Sequence, residues 1–589
     1  MKVFCKILIV YLFLLLHFSS KVAATIYVKN QSDFNNISNL IYQSIKSGEK
    51  CVTIELKPGT YEFHETHIVL KDIEAPSVRL RIIGKGKVNI VPTGKSYKDG
   101  DPYDGVFNID NSWMYGEQDV NIWNDAKYID GLIEVVDENN KTCRFKSTER
   151  LPQNMDIRNV FVLIPEWFSS KVYKVYKIVD NYVYFIASDL KKSYNNGYNI
   201  NDDFNYAKKS LRYRLCNIEN GGDALLVSNN KIALPHNCNS IREGKVQTFI
   251  DIENCVLKNI EILNLNFHGN GARNNNALFY FNKVDSKKCE IRKCGFIGMR
   301  SGVIRIISSS NIYIENNSFK DCYYYGILSD NTSANTHVEN NLFYEMGKSI
   351  QNSFCITCSG EDFSIKNNSF KDFGYGGIAV GVWYGSKKNK PCCGIVEKNE
   401  LSYTDSYLNN IDDYGLMDGG AIYSYTQNDC TVIRNNFIHD ISGAADNRGL
   451  FCDDGASGLL IYGNVVTRVH NSYCIDARRV SSVEKWAQAS NVEHANINVE
   501  IYNNVVDGKV RFEANEMDNN GCKYGENFLL VAKEKDIPMV KISEVDKRVE
   551  DIILDYIETE KTVVEVPRSS YIVLKRSPVW KGIKGFVKK

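Results

Sequence analysis

From residue 262 onward the apolar and polar positions of this chain fall into one recurring phrase: a short β-rich run, a turn carrying Asn, then an apolar residue. It reads Ile291-Arg-Lys-Cys-Gly-Phe296, Ile314-Glu-Asn-Asn-Ser-Phe319, Val338-Glu-Asn-Asn-Leu-Phe343 and Ile365-Lys-Asn-Asn-Ser-Phe370. It continues as Val396-Glu-Lys-Asn-Glu-Leu401, Ile433-Arg-Asn-Asn-Phe-Ile438, Ile461-Tyr-Gly-Asn-Val-Val466 and Ile501-Tyr-Asn-Asn-Val-Val506. Successive copies start 23, 24, 27, 31, 37, 28 and 40 residues apart. A fixed phrase at variable spacing means a constant rung with loops of variable length. Leucine-rich repeats need Leu columns, which are absent, and propeller blades need nearly equal lengths.

One coil of this kind is too small to bury its own core; stacked coils bury a continuous one, bonded coil to coil about 4.8 Å apart. The expected fold is therefore all-β, a right-handed parallel β-helix with capped ends. Asn tolerates the left-handed backbone at a turn between sheets. Stacked Asn317, Asn341, Asn368, Asn399, Asn436, Asn464 and Asn504 are expected to form an internal ladder. The sequons at Asn316 and Asn367, beside that ladder, are then poor glycosylation acceptors, and Asn331 is the better one.

Val52 to Tyr61 reads as a first rung, and a helical stretch around Asn39 to Ser44 caps the open end. Residues 131–245 break the phrase. Val160 to Pro165 and Val172 to Ile178 alternate like a small β-unit inserted between coils. The expected division is 1–24 signal peptide, 25–130 cap and first coils, 131–245 inserted β subdomain, 246–515 β-helix core with the groove, and 516–589 C-terminal coils and cap, with a helical piece near 544–560.

Lys2 and Lys6, the apolar run Ile7 to Phe18 and the small residues Val22-Ala23-Ala24 make the N-terminus read as a cleaved secretion signal, so the chain is expected outside the cell, with no membrane attachment after cleavage. Lys plus Arg and Asp plus Glu both total 71. This balance provides no basic field for nucleic acid. The chain is read as a monomer. Of 17 cysteines, Cys5 lies in the signal; the remaining even number permits disulfides. Cys355-x-x-Cys358 and Cys392-Cys393 lack a second matching pair or nearby His, and read as structural.

A β-helix presents one long sheet as a groove suited to a linear polymer, and glycosidic hydrolysis needs two carboxyls. The richest acidic constellation is Asp412, Asp413 and Asp418 before Gly419-Gly-Ala-Ile-Tyr-Ser424, then Arg448-Gly-Leu-Phe-Cys-Asp-Asp-Gly-Ala-Ser-Gly458 one coil later. Asp418 to Tyr423, Arg434 to Asp440 and Asp453 to Gly458 together resemble the signature region of glycoside hydrolase family 141, the likeness running from about Thr25 to the end. Ile218 to Pro235 resembles that family's link from insert to core, without the usual aromatic after Gly222-Asp223. Ser577 to Phe586 resembles its ending. The resemblance implies a β-helix, activity on α-L-fucosides or xylan, and catalytic aspartates at Asp418 and at Asp453 or Asp454.

Rung alignment offers a rival. Setting Gly420–Ser424 on Gly449–Asp453 places Asp453 in the column of Ser424 and Asp418 about 20 Å away. The next rung, Ser472 to Asp476, places Asp476 over Asp453, about 5 Å apart, although the family usually carries another residue there. Tyr423, Arg448 and Trp383 are the candidate substrate contacts. Arg448, Arg478 and Arg479 either hold a carboxylate or pair with the aspartates, and Trp383 is either a sugar platform or a core residue. An Asp beside Gly is also an ordinary turn residue. His439 and His470 read as structural. No metal or cofactor is required by this reading. The alternatives are a Ca²⁺-dependent polysaccharide lyase, recasting Asp412, Asp413, Asp418 and Arg448, and a non-catalytic carbohydrate-binding solenoid. A polygalacturonase needs His-Gly and Arg-x-Lys motifs that do not occur in order.

Overall fold

The computed structural model describes, with short breaks, residues 23–92, 127–186, 248–383, 391–404 and 419–512, and brief strands at 191–192, 198–199, 212–217, 225–227, 231–233, 523–524 and 528–529. The signal sequence and the helical piece near 544–560 lie outside them.

Each coil supplies three strands, as in Gly302–Ile307, Ser310–Glu315 and Ser318–Cys322. Each pairs in parallel with its counterpart one coil on, Ile327–Ser329, Ala334–Glu339 and Leu342–Met346. The three columns form three faces, and the architecture is the parallel β-helix that the repeats predict. Alternation sends every second side chain inward. On the first face Ile304, Ile327, Ile356, Ile378, Ile422, Leu450, Ile475 and Val510 stand in one register column. On the third face Phe267, Phe296, Phe319, Phe343 and Phe370 stack ring on ring at 4.6–5.4 Å.

The asparagine ladder forms at the turn from the second face to the third. Asn317 Nδ2 donates to Asn341 Oδ1 at 3.0 Å, and the series continues through Asn368, Asn399, Asn436 and Asn464 to Asn504. Each Oδ1 also accepts a backbone N–H from the preceding coil, as from Asn317 N to Asn341 at 2.9 Å. The left-handed residue is the one before the ladder position: Asn316, Asn340, Asn367, Lys398, Asn435, Gly463 and Asn503. Asn316, Asn340, Asn367 and Lys398 turn outward while the ladder residue turns in; Asn435, 5% exposed, is buried. The sequon asparagines Asn316 and Asn367 are consequently exposed. The Asn331 loop is instead tied down, with the buried Ser333 hydroxyl donating to Asp330 Oδ1 at 2.8 Å. Asn331 is half-buried, so exposure alone does not favour it over Asn316 and Asn367.

At the N-terminal end, helix Ile37–Lys46 buries Ile37 and Ile41 in the core. Ser38 Oγ donates to Val69 O at 3.1 Å and the Tyr42 hydroxyl to Lys71 O at 3.2 Å, closing the open coil. Starting four residues before the expected insert, six antiparallel strands from Lys127–Asp137 to Arg212–Asn217 close a small barrel. Its own core includes Phe145, Val162, Tyr173 and Phe185. A disulfide joins Cys393 to Cys430, Cα atoms 4.7 Å apart on adjacent second-face strands. Cys355, Cys358 and Cys392 are buried thiols.

Candidate functional site

The candidate side chains gather on the outer side of the first face. Along Gly420–Ser424, Ile422 and Ser424 point into the core, so Tyr423 points out. There it meets Phe354, Tyr375 and Phe451, ring centroids 5.2, 6.1 and 5.1 Å away. These rings form a cluster of their own, outside the β-helix core yet buried. The Tyr423 hydroxyl donates to Asp453 Oδ2. Asp453 is only 2% exposed. Burial, then the charge of Asp453, raise the phenol pKa well above its ordinary value, so Tyr423 keeps its proton.

Next to this pair sits a buried ion cluster. A Cβ on Gly449 would lie 2.4 Å from Val466 Cγ1 in the core, so only glycine fits there. Arg448, one residue earlier, turns outward and lays its guanidinium 4.0 Å over the Phe451 ring. Its Nε donates to Asp476 Oδ2 at 2.9 Å, both residues 0% exposed. Arg511 clamps the same carboxylate from the next coil, Nε to Oδ1 at 2.7 Å and Nη2 to Oδ2 at 2.6 Å.

Two register expectations change. Gly420 pairs with Arg448, and Ser424 with Cys452. Asp453 therefore stands one place past the Ser424 column, and because side chains alternate, the slip turns it from the core face to the outer face. Asp476 pairs with Phe451, not Asp453. It is not the second carboxylate stacked on Asp453 but the shared counter-ion of two arginines. Gly449 packs closely on Val466 in this register, a contact invisible in the local motif.

Of the other candidates, Tyr423 and Arg448 are in the cluster. Trp383 is half-buried at its edge, 6.1 Å from the ring of Tyr425, which in turn lies 5.1 Å from Tyr423. Asp412, Asp413, Asp418, Asp454, Arg478 and Arg479 lie outside the described residues. His439 lies on the third face, bound to Asp440 at 2.6 Å beside Glu400 and Arg468, in keeping with a structural role. Sequence reasoning missed Arg511, Phe354 and Tyr375. The alternation in Lys509-Val-Arg-Phe512 puts Arg511 in phase with Asp476, a signal that was present once the register was known.

The fold and site define a parallel β-helix protein with a buried tyrosine–aspartate pair and an arginine–aspartate–arginine cluster on one outer face. No family model matches the chain, and no curated protein matches it. Among solved structures it is similar to one described as a glycoside hydrolase, at 9% identity and TM-score 0.43, covering 86% of this chain and 96% of that one. It is also similar to the A-module of Azotobacter vinelandii mannuronan C-5 epimerase AlgE4, at 10% identity and TM-score 0.39, covering 85% and 92%. Likenesses this distant carry no argument about chemistry.

Proposed function

We propose that this chain is a secreted carbohydrate-active enzyme, a glycoside hydrolase of the α-L-fucoside or xylan class, with Asp453 as a catalytic carboxylate. The supporting observation is the placement of Asp453: a buried carboxylate on the outside of a solenoid, bonded to a tyrosine that keeps its proton, among aromatic rings. Desolvation strengthens electrostatic interactions at such a site, and a tyrosine donor orients the carboxylate. The resemblance of the Asp418 and Asp453 segments to glycoside hydrolase family 141 supports the same reading. The second carboxyl that hydrolysis requires is then Asp418 or Asp454. Asp476 is a positioning residue here, because two guanidiniums hold its carboxylate. Arg448, itself 0% exposed and held by Asp476 against the Phe451 ring, is likewise a positioning residue.

The test is product chemistry. Incubation with α-fucosides, xylan and pectin is expected to release reducing ends, with or without chelator. In Asp453→Asn turnover falls by a factor of roughly a hundred or more. An unsaturated, ultraviolet-absorbing product that chelator abolishes supports the lyase reading instead, and retention of polysaccharide without any product supports the binding-solenoid reading. Unchanged turnover in Asp453→Asn removes the site.

A further inference from the structure

The outer column of the first face runs in unbroken register beyond the site. From Tyr423 it passes back through Ala379, Thr357, Leu328, Arg305 and Tyr280 to Asp251, one residue per coil. The column changes character along its length. Tyr423 and Ala379 are buried, whereas Thr357, Leu328, Arg305, Tyr280 and Asp251 are partly open to solvent. A partly open column thus leads to the buried aromatic cluster. At its far end Tyr280 stands between Asp251 and Arg305 on the neighbouring coils. Asp251 Oδ1 and Arg305 Nε are buried atoms within these partly open side chains and find no hydrogen-bond partner among the described residues. Lys71 is engaged by Asp251 at 3.5 Å and Glu253 at 3.0 Å.

We propose that Tyr280, Arg305 and Asp251 form a second, non-catalytic binding site, an anchor for a neutral, hydroxyl-bearing unit of the same polysaccharide, five coils from Tyr423. This rests on the carbohydrate-active reading above. At about 4.8 Å per coil the two sites are about 24 Å apart. That coil spacing is close to the advance of one sugar in an extended chain, so the column suits successive units laid from the anchor toward the Tyr423 cluster. The ring of Tyr280 supplies a stacking platform. Adjacent carboxylate and guanidinium groups supply an acceptor and a donor for sugar hydroxyls. The charges acting on the Tyr280 ring, Lys71 and Arg305 against Asp251 and Glu253, balance there, so the platform itself does not select a uronate.

Affinity electrophoresis of the full chain in gels containing soluble xylan, fucosylated xyloglucan or polygalacturonate tests this. Asp453→Asn is expected to be retarded by one of the two neutral polymers as strongly as wild type, while Tyr280→Ala and Arg305→Gln each weaken retardation about five- to tenfold. Their melting temperatures stay at the wild-type value, and Arg305→Lys recovers part of the binding. Equal retardation of wild type and both anchor variants overturns the proposal, as does no retardation of wild type by either neutral polymer, or a preference for polygalacturonate that salt abolishes. The two readings fail separately. Retardation lost in Tyr280→Ala in a chain that releases no sugar keeps the anchor and removes the active site. Hydrolysis with an unchanged polymer KM in the anchor variants does the reverse.

Discussion

A buried polar residue in this solenoid is held by partners one coil away, so its loss is felt in both directions. Asn399, 0% exposed, accepts from Asn368 and donates to Asn436 and to Ile365 O. Asn399→Ala leaves several buried groups unpaired and is expected to cost about 2–4 kcal/mol in denaturant unfolding. Exposed Asn316 contributes only its tolerance of φ 57°, so Asn316→Ala should cost about 1 kcal/mol and Asn316→Gly little. At the site, Tyr423→Phe removes only the hydroxyl that donates to Asp453. It is expected to lower kcat at least tenfold with little change in melting temperature. Asp476→Asn leaves the buried Arg448 with a weaker partner and is expected to lower both activity and stability.

At the scale of elements, two histidines tie strands and caps together with opposite pH signs. His67 is stacked 4.1 Å from Phe34 of the N-terminal cap and 5.5 Å from Phe249. Burial, opposed by a backbone bond near Phe34, lowers its pKa to about 4. Its neutral form is the folded one, so this stability is present above the unfolded value near 6.5 and is lost as pH falls from there toward 4. For His439 burial acts downward, but hydrogen bonds and charge from Asp440 and Glu400 outweigh it and raise the pKa. Its stability is complete below about 6.5 and is lost as pH rises through the raised value. Melting scans from pH 4 to 9 should show His67→Phe blunting the acid-side loss and His439→Gln the alkaline-side loss. The strand phrases were legible in sequence because alternation and Asn-bearing turns are local. The pairing of Gly420 with Arg448 was not, because register between coils depends on contacts that the local motif does not contain.

For the whole molecule, the barrel and the β-helix have separate cores. Unfolding followed by denaturant should therefore not be a single two-state transition. Phe145→Ala, in the barrel, should shift one transition, and Phe343→Ala, in the stacked phenylalanine column, the other, each by about 3–5 kcal/mol. Coincident shifts would show one cooperative unit. The outer column gathers residues from Asp251 to Arg511 into one surface, although they are distributed along half the chain.

The chain alone determined the solenoid, the ladder of Asn317 to Asn504, the capping helix and the inserted β-unit, because turn chemistry and period-two alternation are properties of neighbouring residues. It also singled out Tyr423, Arg448, Asp453 and Asp476 as residue types. Only the tertiary structure decided their placement and partners. A one-residue difference in register exchanges the inside and outside of a sheet, and that register depends on contacts between coils that no local motif contains. It put Asp453 under the hydroxyl of Tyr423, and gave Asp476 to Arg448 and Arg511.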